Sequence, residues 1–470
     1  MTTLSRLVAG VLLGKAVLGA ALPVSAGVDW PEYNGGPERG HYSALRQITP
    51  ENVGHLRRAW EYHTGDFGIL ECNPIVVGGV LYGVTAASGA FAVEAATGKE
   101  LWRYRPGEVE WVHAVRGVTY WSAGEDRRIF FTAGPWLIAL DAGSGQPLPA
   151  FGQGGRVSLR VGLGPQAARR PLSCSTPGTL YGDLLVMPLW TSEDTNASPG
   201  FIQAFDVHDG RLVWVFHTLP QPGEPGYETW PKDAYKNIDV GSANCWAGLA
   251  VDRRRGILYA GTGSAAPDFW GGHRKGRDLY ANCEIALDAR TGKLLWHFQI
   301  VHHDLWDRDM PAPPNLLTVR RGGRSIDAVA QVTKAGLVFV FDRVTGEPLF
   351  PVREVPAPAS QVPGEETWPT QPRPDLPPPF TRQTITENDI NPWAQNHDAL
   401  VAYFRNSRTG IFQPFSGEYD TLMVPGYSGG AEWGGGAVDP AGTLYINANE
   451  WASIGRLRPA FTPQELAQLS

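Results

Sequence analysis

One phrase recurs along this chain. FAVEAATGKELWRY (91–104), IALDAGSGQPLPAF (138–151), QAFDVHDGRLVWVF (203–216), IALDARTGKLLWHF (285–298) and VFDRVTGEPLFPV (340–352) are variants of a single unit. Each has a short apolar run, an acid, a turn ending in glycine, and a second run tipped with aromatic residues. The turn glycines are Gly98, Gly145, Gly210, Gly292 and Gly346. Such a unit is a hairpin, with the glycine supplying a positive φ and the two runs pairing. Further hairpin signals lie upstream of most copies, in PIVVGGVLYGV, STPGTLYGDLLVMP and AVDRRRGILYAGTG. Two hairpins per repeat predict a four-stranded antiparallel sheet that cannot bury its faces alone, so the sheets must stack on one another. A radial stack is a β-propeller; a flat array of β-sandwiches is the other arrangement. Long amphipathic helical patterns are essentially missing. The expected fold class is therefore all-β, a propeller with about six blades' worth of repeats.

The chain opens with MTTLSRLVAGVLLGKAVLGAALPVSAG. An early Arg6, an apolar run and the small residues Val24-Ser25-Ala26 read as a secretory signal peptide over 1–26, followed by the propeller domain over 27–470. Lys15 interrupts the apolar run and argues against a membrane anchor. The formal charge is −7 and the basic residues are scattered, which excludes a nucleic-acid partner. The four cysteines, Cys72, Cys174, Cys245 and Cys283, form no C-x-x-C pair and no C-x-x-C-H. They read as buried apolar residues, with no covalent haem site and no zinc cluster.

Insertions at 217–245, 264–282 and 355–394 exceed what hairpin loops need, and long loops on a rigid scaffold usually carry the functional face. Directly after the fourth repeat comes HFQIVHHDLWDRDMPAPPN (297–315), with two histidines and three acids within His302–Asp309. Packing gains nothing from such a cluster at a strand end. Lys334, in AVAQVTKAGLVFVFD, likewise interrupts a strand-like apolar run.

The repeats, DWPEYNGGPERGHYSALRQITPENVGHLRRAWEYHTGD (29–66), VHHDLWDRDMPAPPN and TKAGLVFVFDRVTGEPLFPV together resemble the pyrroloquinoline quinone (PQQ)-dependent dehydrogenases. That family includes membrane glucose dehydrogenases and methanol and alcohol dehydrogenases, and the VHHDLWD wording is closer to the glucose branch. The resemblance runs from residue 29 to about 451 and implies a periplasmic oxidoreductase acting on a sugar, polyol or other alcohol. It implies Asp307 as the general base that removes the hydroxyl proton as hydride leaves. Lys334 matches the cation directed at the quinone oxygens. Arg116, in VHAVRGVTY, matches the arginine that pairs a cofactor carboxylate. Trp246, in NCWAGLAVD, matches the floor beneath the quinone ring. His113, His302, His303 and Trp306 are implied as substrate contacts, with Asp304 holding the loop.

The departures from the family are specific. The two adjacent cysteines of the alcohol branch are absent from EVEWVHAVRG. Its calcium-binding Asn falls on Ser264, and its calcium-binding Glu falls within TSEDTNASPG, where Glu193 and Asp194 are the candidates. Where the glucose branch has an Asn at the quinone, this chain has Glu432 before Trp433. Beyond GTLYINANEWASIGRL, family members continue through blades that close an eight-bladed ring. Here TPQELAQLS ends the sequence, so the ring is open, the chain is a fragment, or a second chain completes it. The expected cofactors are PQQ and a calcium ion, and the expected electron acceptor is a quinone or a separate cytochrome. A non-catalytic propeller serving as a binding scaffold is the competing class. The set Asp307, Lys334, Arg116 and Trp246 favours the enzyme.

Overall fold

A computed structural model describes residues 29–110 and 112–459. The signal peptide read at 1–26 and the helix-like TPQELAQLS lie outside the described residues. Within them the chain is a radial series of antiparallel sheets. Four sheets have four strands each. The first is Ile75–Val77, Val80–Val84, Ala90–Glu94 and Glu100–Tyr104, and the second is Thr119–Ala123, Asp126–Ala133, Trp136–Asp141 and Arg156–Ser158. The third is Thr179–Tyr181, Leu184–Met187, Ile202–Asp206 and Leu212–Phe216, and the fourth is Leu249–Asp252, Ile257–Gly261, Cys283–Asp288 and Leu294–Gln299. A fifth sheet has three strands, Asn315–Arg321, Arg324–Val332 and Val338–Asp342, and a sixth has two, Gly436–Val438 and Leu444–Ile446. Four further sheets of two or three strands are present among the described residues, so the about six blades read from the repeats correspond to the four complete sheets and the two shorter ones just given. One α-helix, His397–Arg405, stands outside the sheets.

The repeat phrase folds as a hairpin for local reasons. The five turn glycines have φ between 69° and 75°, a region that side-chain-bearing residues avoid. In four copies the preceding Asp accepts amides of its own turn: Asp141 from Ser144, Asp206 from His208, Asp288 from Arg290 and Thr291, and Asp342 from Val344 and Thr345. The aromatic tip then locks neighbouring blades together. Trp102, Trp214 and Trp296 each donate an indole N–H to the carbonyl three residues before the next blade's turn glycine, namely Ala142 (2.9 Å), Ala289 (3.3 Å) and Arg343 (3.3 Å). A Cβ on Gly145, Gly292 or Gly346 would sit 2.4–2.5 Å from those indoles, so glycine is needed for space as well as for φ.

Two copies depart from the hairpin. In IALDAGSGQPLPAF the run after the turn holds Pro147 and Pro149, and Arg156–Ser158 takes the outer position instead. In VFDRVTGEPLFPV, Pro348 leaves only a single bridge to Phe341. Proline lacks the N–H that a strand ladder needs.

The segment 30–40 crosses the inner strands and ties them together. Trp30 pairs with Val76, Pro37 O accepts from Val251 N, Glu38 O from Leu316 N, and Gly40 O from Val438 N. Arg39, buried on this segment, donates to Leu249 O, Tyr33 O and Thr179 Oγ1.

Glu284, in the fourth sheet, is fully buried, and neither carboxyl oxygen has a hydrogen-bond partner among the described residues. Burial pushes its carboxyl well above the ordinary range. The folded state therefore holds a proton that the unfolded chain releases near pH 4.3, and stability falls as pH rises above that value. Glu284→Gln is expected to raise the unfolding temperature at pH 7 and to change it little at pH 4. An equal shift at both pH values in thermal denaturation would refute this.

Candidate active site

The stretch 301–309 is a buried loop clamped by its own side chains. Asp304 Oδ1 accepts from Trp306 N (3.0 Å), and its Oδ2 accepts from Arg308 N (2.6 Å), Asn282 Nδ2 (2.9 Å) and the Ser264 hydroxyl. Arg308, fully buried, donates to Gly426 O (2.9 Å) and Pro425 O (2.8 Å). Between these anchors Asp307 sits at φ 56°, in the left-handed region that Asp tolerates better than most residues.

Lys334 reaches this loop from the fifth sheet, just beyond Arg324–Val332. Its ammonium lies 2.7 Å from Asp307 Oδ1 and 3.4 Å from Asp309 Oδ2. Asp309 also accepts from Trp246 Nε1 (2.9 Å), Ser264 N (2.6 Å) and Ser264 Oγ (3.0 Å). The three groups are nearly sealed from solvent. Burial disfavours the Lys334 ammonium, but Asp307 and Asp309 outweigh it and push its pKa above the usual lysine range. Burial also opposes ionisation of Asp309, yet Lys334 and the bonds from Ser264 and Trp246 hold it below the carboxylate range. Asp307 has only Lys334 to offset burial, with Asp309 and Glu193 adding to the upward push, so it is the carboxyl raised well above its ordinary value. One acid is thus held ionised beside the ammonium, and the other is biased to take up a proton.

Arg116 and two tryptophans adjoin this cluster. The guanidinium lies 5.2 Å from the Trp246 ring centre and 4.8 Å from that of Trp433, and its Nε donates to Glu71 Oε2 at 2.9 Å. Lys334 Nζ is 5.9 Å from the Trp246 ring centre. Burial raises the Glu432 carboxyl, with Lys334 opposing. His113 stacks on Trp190 at 4.2 Å and contacts Ser175 Oγ at 3.1 Å. Trp190 in turn lines a narrow cleft with Trp246, Glu193, Asn244, Ser264, Asp268 and Asp309.

The structure thus brings Asp307, Lys334, Trp246, Arg116, Trp433, Glu432, Ser264 and Glu193 to one region, with His113 at its edge. It places the remaining four elsewhere. His302 is held by Gln299 Oε1 (2.7 Å) and Glu354 Oε1 (3.3 Å), with its backbone bonded to Gln371. His303 Nδ1 lies 3.0 Å from Asp278, and Trp306 is fully buried with its N–H on Gln413 O. These contacts join the loop to neighbouring strands and insertions rather than to the Lys334 cluster. Asp194 is exposed and lines a separate apolar cleft with Pro267, Trp270, Pro363 and Leu457.

Sequence reasoning left Asp309, Asp268, Asn244 and Glu71 unassigned. Asp309 carried a signal, since it stands two residues from Asp307 in DRD. Asp268 carried none, being one acid inside a long insertion. Its Oδ1 is buried without a hydrogen-bond partner among the described residues. No three His, Cys, Asp or Glu side chains among the described residues converge as a ready-made metal cluster.

The chain has counterparts of known kind. Residues 30–469 match the family described as "PQQ: Glucose/ethanol/alcohol dehydrogenase, beta-propeller domain". The quinoprotein glucose dehydrogenase A of Acinetobacter calcoaceticus is 34% identical over 94% of this chain, and the quinoprotein glucose dehydrogenase of Escherichia coli is 35% identical over 92%. A glycerol dehydrogenase large subunit of Gluconobacter oxydans is 32% identical over 92%. The chain spans 59%, 57% and 61% of the length of these relatives. Among solved structures, a quinohemoprotein alcohol dehydrogenase from Pseudomonas putida superposes with a TM-score of 0.69 at 23% identity, over 92% of this chain and 58% of that one. That likeness establishes the fold. Among the described residues no helix is long and apolar enough to cross a membrane.

Proposed function

The chain belongs to the family of PQQ glucose/ethanol/alcohol dehydrogenase β-propeller domains, and on that premise we propose that it is the catalytic propeller of a quinoprotein that oxidises a sugar, polyol or other alcohol. The observation that carries this reading is the buried Lys334–Asp307–Asp309 cluster beside Trp246, Trp433 and Arg116. A binding scaffold has no use for an ammonium and two acids sealed from water next to flat aromatic faces.

The donor set suits PQQ, a flat polyanionic ortho-quinone. Trp246 and Trp433 offer flat faces, and Arg116 and Lys334 offer the cations that its carboxylates and quinone oxygens call for. When bound, it would accept the electrons that leave the substrate's C–H bond. Asp307 receives the proton of the substrate hydroxyl at a carboxylate oxygen, and burial beside Asp309 and Glu193 biases that oxygen toward taking one up. Lys334 holds the site's positive charge where Asp309 keeps it from drifting. Arg116 is kept in place by Glu71.

The calcium ion of this reading is assigned to the narrow cleft, whose acids would have to draw together to hold it. A hard cation prefers oxygen ligands, and Glu193, Ser264, Asn244, Asp309 and Asp268, whose Oδ1 has no hydrogen-bond partner among the described residues, line that space. Asp194, the other residue weighed for this role, faces elsewhere. The leader-like 1–26 supports export to the periplasm. The proposed electron acceptor is a quinone or a separate cytochrome.

The test is to add PQQ and calcium to the purified protein and follow dye reduction with a panel of sugars, polyols and alcohols. Reduction that needs both additions is expected. A protein that takes up PQQ yet turns over none of the panel would sink the reading. PQQ should also quench tryptophan fluorescence, and Trp246→Ala should remove most of that quench. Chelating calcium should weaken it. A quench that survives the Trp246 change would put the cofactor elsewhere.

A further inference from the structure

Asp268 lies in GTGSAAPDFW, four residues past Ser264 and inside the 264–282 insertion. The residue is 3% exposed, it lines the narrow cleft beside Trp246, and its Oδ1 has no hydrogen-bond partner among the described residues. Burial raises its carboxyl well above the ordinary range, and Asp307, Asp309 and Glu193 add to that push, with Lys334 opposing. A buried carboxyl without a donor costs stability, so packing does not account for it.

The backbone around this acid is nonetheless fixed. Asp268 N donates to Glu193 O (3.1 Å), and Pro267 O accepts from the fully buried Arg274 (3.0 Å). The same guanidinium donates to the carbonyl of Asp304, whose carboxylate anchors the loop that carries Asp307. Arg274 thus ties Asp268 and Asp307 to one frame. Phe269, the next residue, meets Phe415 (5.5 Å) and Tyr427 (6.1 Å) edge-on. Tyr427 is 47% exposed, and two residues on a Cβ at Gly429 would lie 2.5 Å from Lys334 Cγ. The neighbourhood of the Asp307–Lys334 pair therefore holds a free acceptor and aromatic rings, one of them reaching water. That combination suits a polyhydroxylated ligand, whose O–H groups need acceptors and whose C–H faces rest on rings.

On the reading that Asp307 takes the proton of the reacting hydroxyl, we propose that Asp268 accepts a hydrogen bond from a second substrate hydroxyl, on a neighbouring carbon. The substrate class is then a vicinal diol, a sugar or polyol, rather than a monohydric alcohol. The discrimination follows from the asymmetry of buried hydrogen bonds. A diol gives Asp268 the donor that the fold withholds, whereas a monohydric alcohol leaves the acid buried and unpaired. Either protonation state of Asp268 keeps an acceptor oxygen for this bond. For the proposed cation the cleft offers Glu193, Asp309, Asn244 and Ser264 besides Asp268.

The test compares matched pairs in the protein loaded with PQQ and calcium: glucose with 2-deoxyglucose, propane-1,2-diol with propan-1-ol, and cis-cyclohexane-1,2-diol with cyclohexanol. In the pairs that are oxidised, kcat/KM should favour the diol by roughly 10- to 10²-fold, the worth of a hydrogen bond to a charged acceptor. Asp268→Ala should lower that ratio by about tenfold or more. A smaller fall overturns the proposal. Asp268→Asn keeps the size of the side chain, and its apoprotein melt should not drop, since no partner is lost. A lower melt would give the carboxyl a role in the fold and overturn the proposal too. The calcium concentration for half-maximal tryptophan quenching by PQQ should shift less than about tenfold in Asp268→Asn. A larger shift makes Asp268 a cation ligand instead. Calorimetric titration of the same diols, with PQQ and calcium present, separates this role from the enzymatic reading. If the wild type oxidises no member of any pair, the enzymatic reading fails. Diol binding that Asp268→Ala abolishes still supports the role of Asp268, and absent or unaltered binding overturns it.

Discussion

Asp307→Asn is expected to lower turnover by roughly 10²- to 10⁴-fold, the usual worth of a positioned general base. The substitution keeps the side chain's size and an oxygen for the Lys334 ammonium, which lies 2.7 Å from Oδ1. What it removes is the ability to take up a proton. Asp309 cannot substitute, because Trp246, Ser264 and Lys334 all stabilise its ionised form. Cofactor binding, read from tryptophan quenching, should change far less than turnover. If Asp307→Asn stays active in a folded, PQQ-loaded protein while Asp304→Asn is dead, the base has been placed on the wrong carboxylate.

Asp304→Asn should instead cost stability. Asp304 Oδ1 serves one backbone N–H, and Oδ2 serves Arg308 N, Asn282 Nδ2 and the Ser264 hydroxyl. An amide offers only one oxygen, so whichever way it turns, its NH₂ faces a buried donor. Each buried group left without a partner costs about 1–3 kcal/mol. With at least one backbone amide affected and the charge beside Arg308 lost, we expect a loss of about 3–5 kcal/mol. Chemical denaturation of the apoprotein measures it directly. An unfolding free energy within ~0.5 kcal/mol of wild type would show that the loop is not held by this carboxylate.

Much of the fold was legible because its rules are local. The turn needs glycine for φ, the Asp before it serves the amides of its own turn, and the aromatic tip follows at a fixed spacing; all three lie within one repeat. The two copies that departed did so at prolines visible in the sequence, Pro147 and Pro348. The indole bond of Trp60 to Ala95 O was not legible because no apolar run and turn of the repeat precede Trp60 in the sequence.

The site was legible in part. Asp307 and Lys334 stood out because charge interrupting apolar runs is costly unless paired, and the structure pairs them. His302 and His303 are also polar groups at a strand end, and the acids beside them, Glu354 on the strand Val352–Pro356 and Asp278 in the 264–282 insertion, are not adjacent in sequence. Glu193 and Asp194 are neighbours in sequence and could not be told apart until the fold turned one toward Asp309 and the other toward Trp270.

Sequence alone therefore determined the repeating sheet, its turns and the family, since each rests on contacts within a few residues or on a long match of wording. Tertiary structure decided which acid is biased toward its ionised form, which groups stand beside the histidines, and that Asp268 and Asp309 share a cleft with Trp246. The physical reason is that a carboxyl's protonation and a ring's partner depend on burial and on charges brought from other blades, and Lys334 meets Asp309 only once the fourth and fifth sheets have packed.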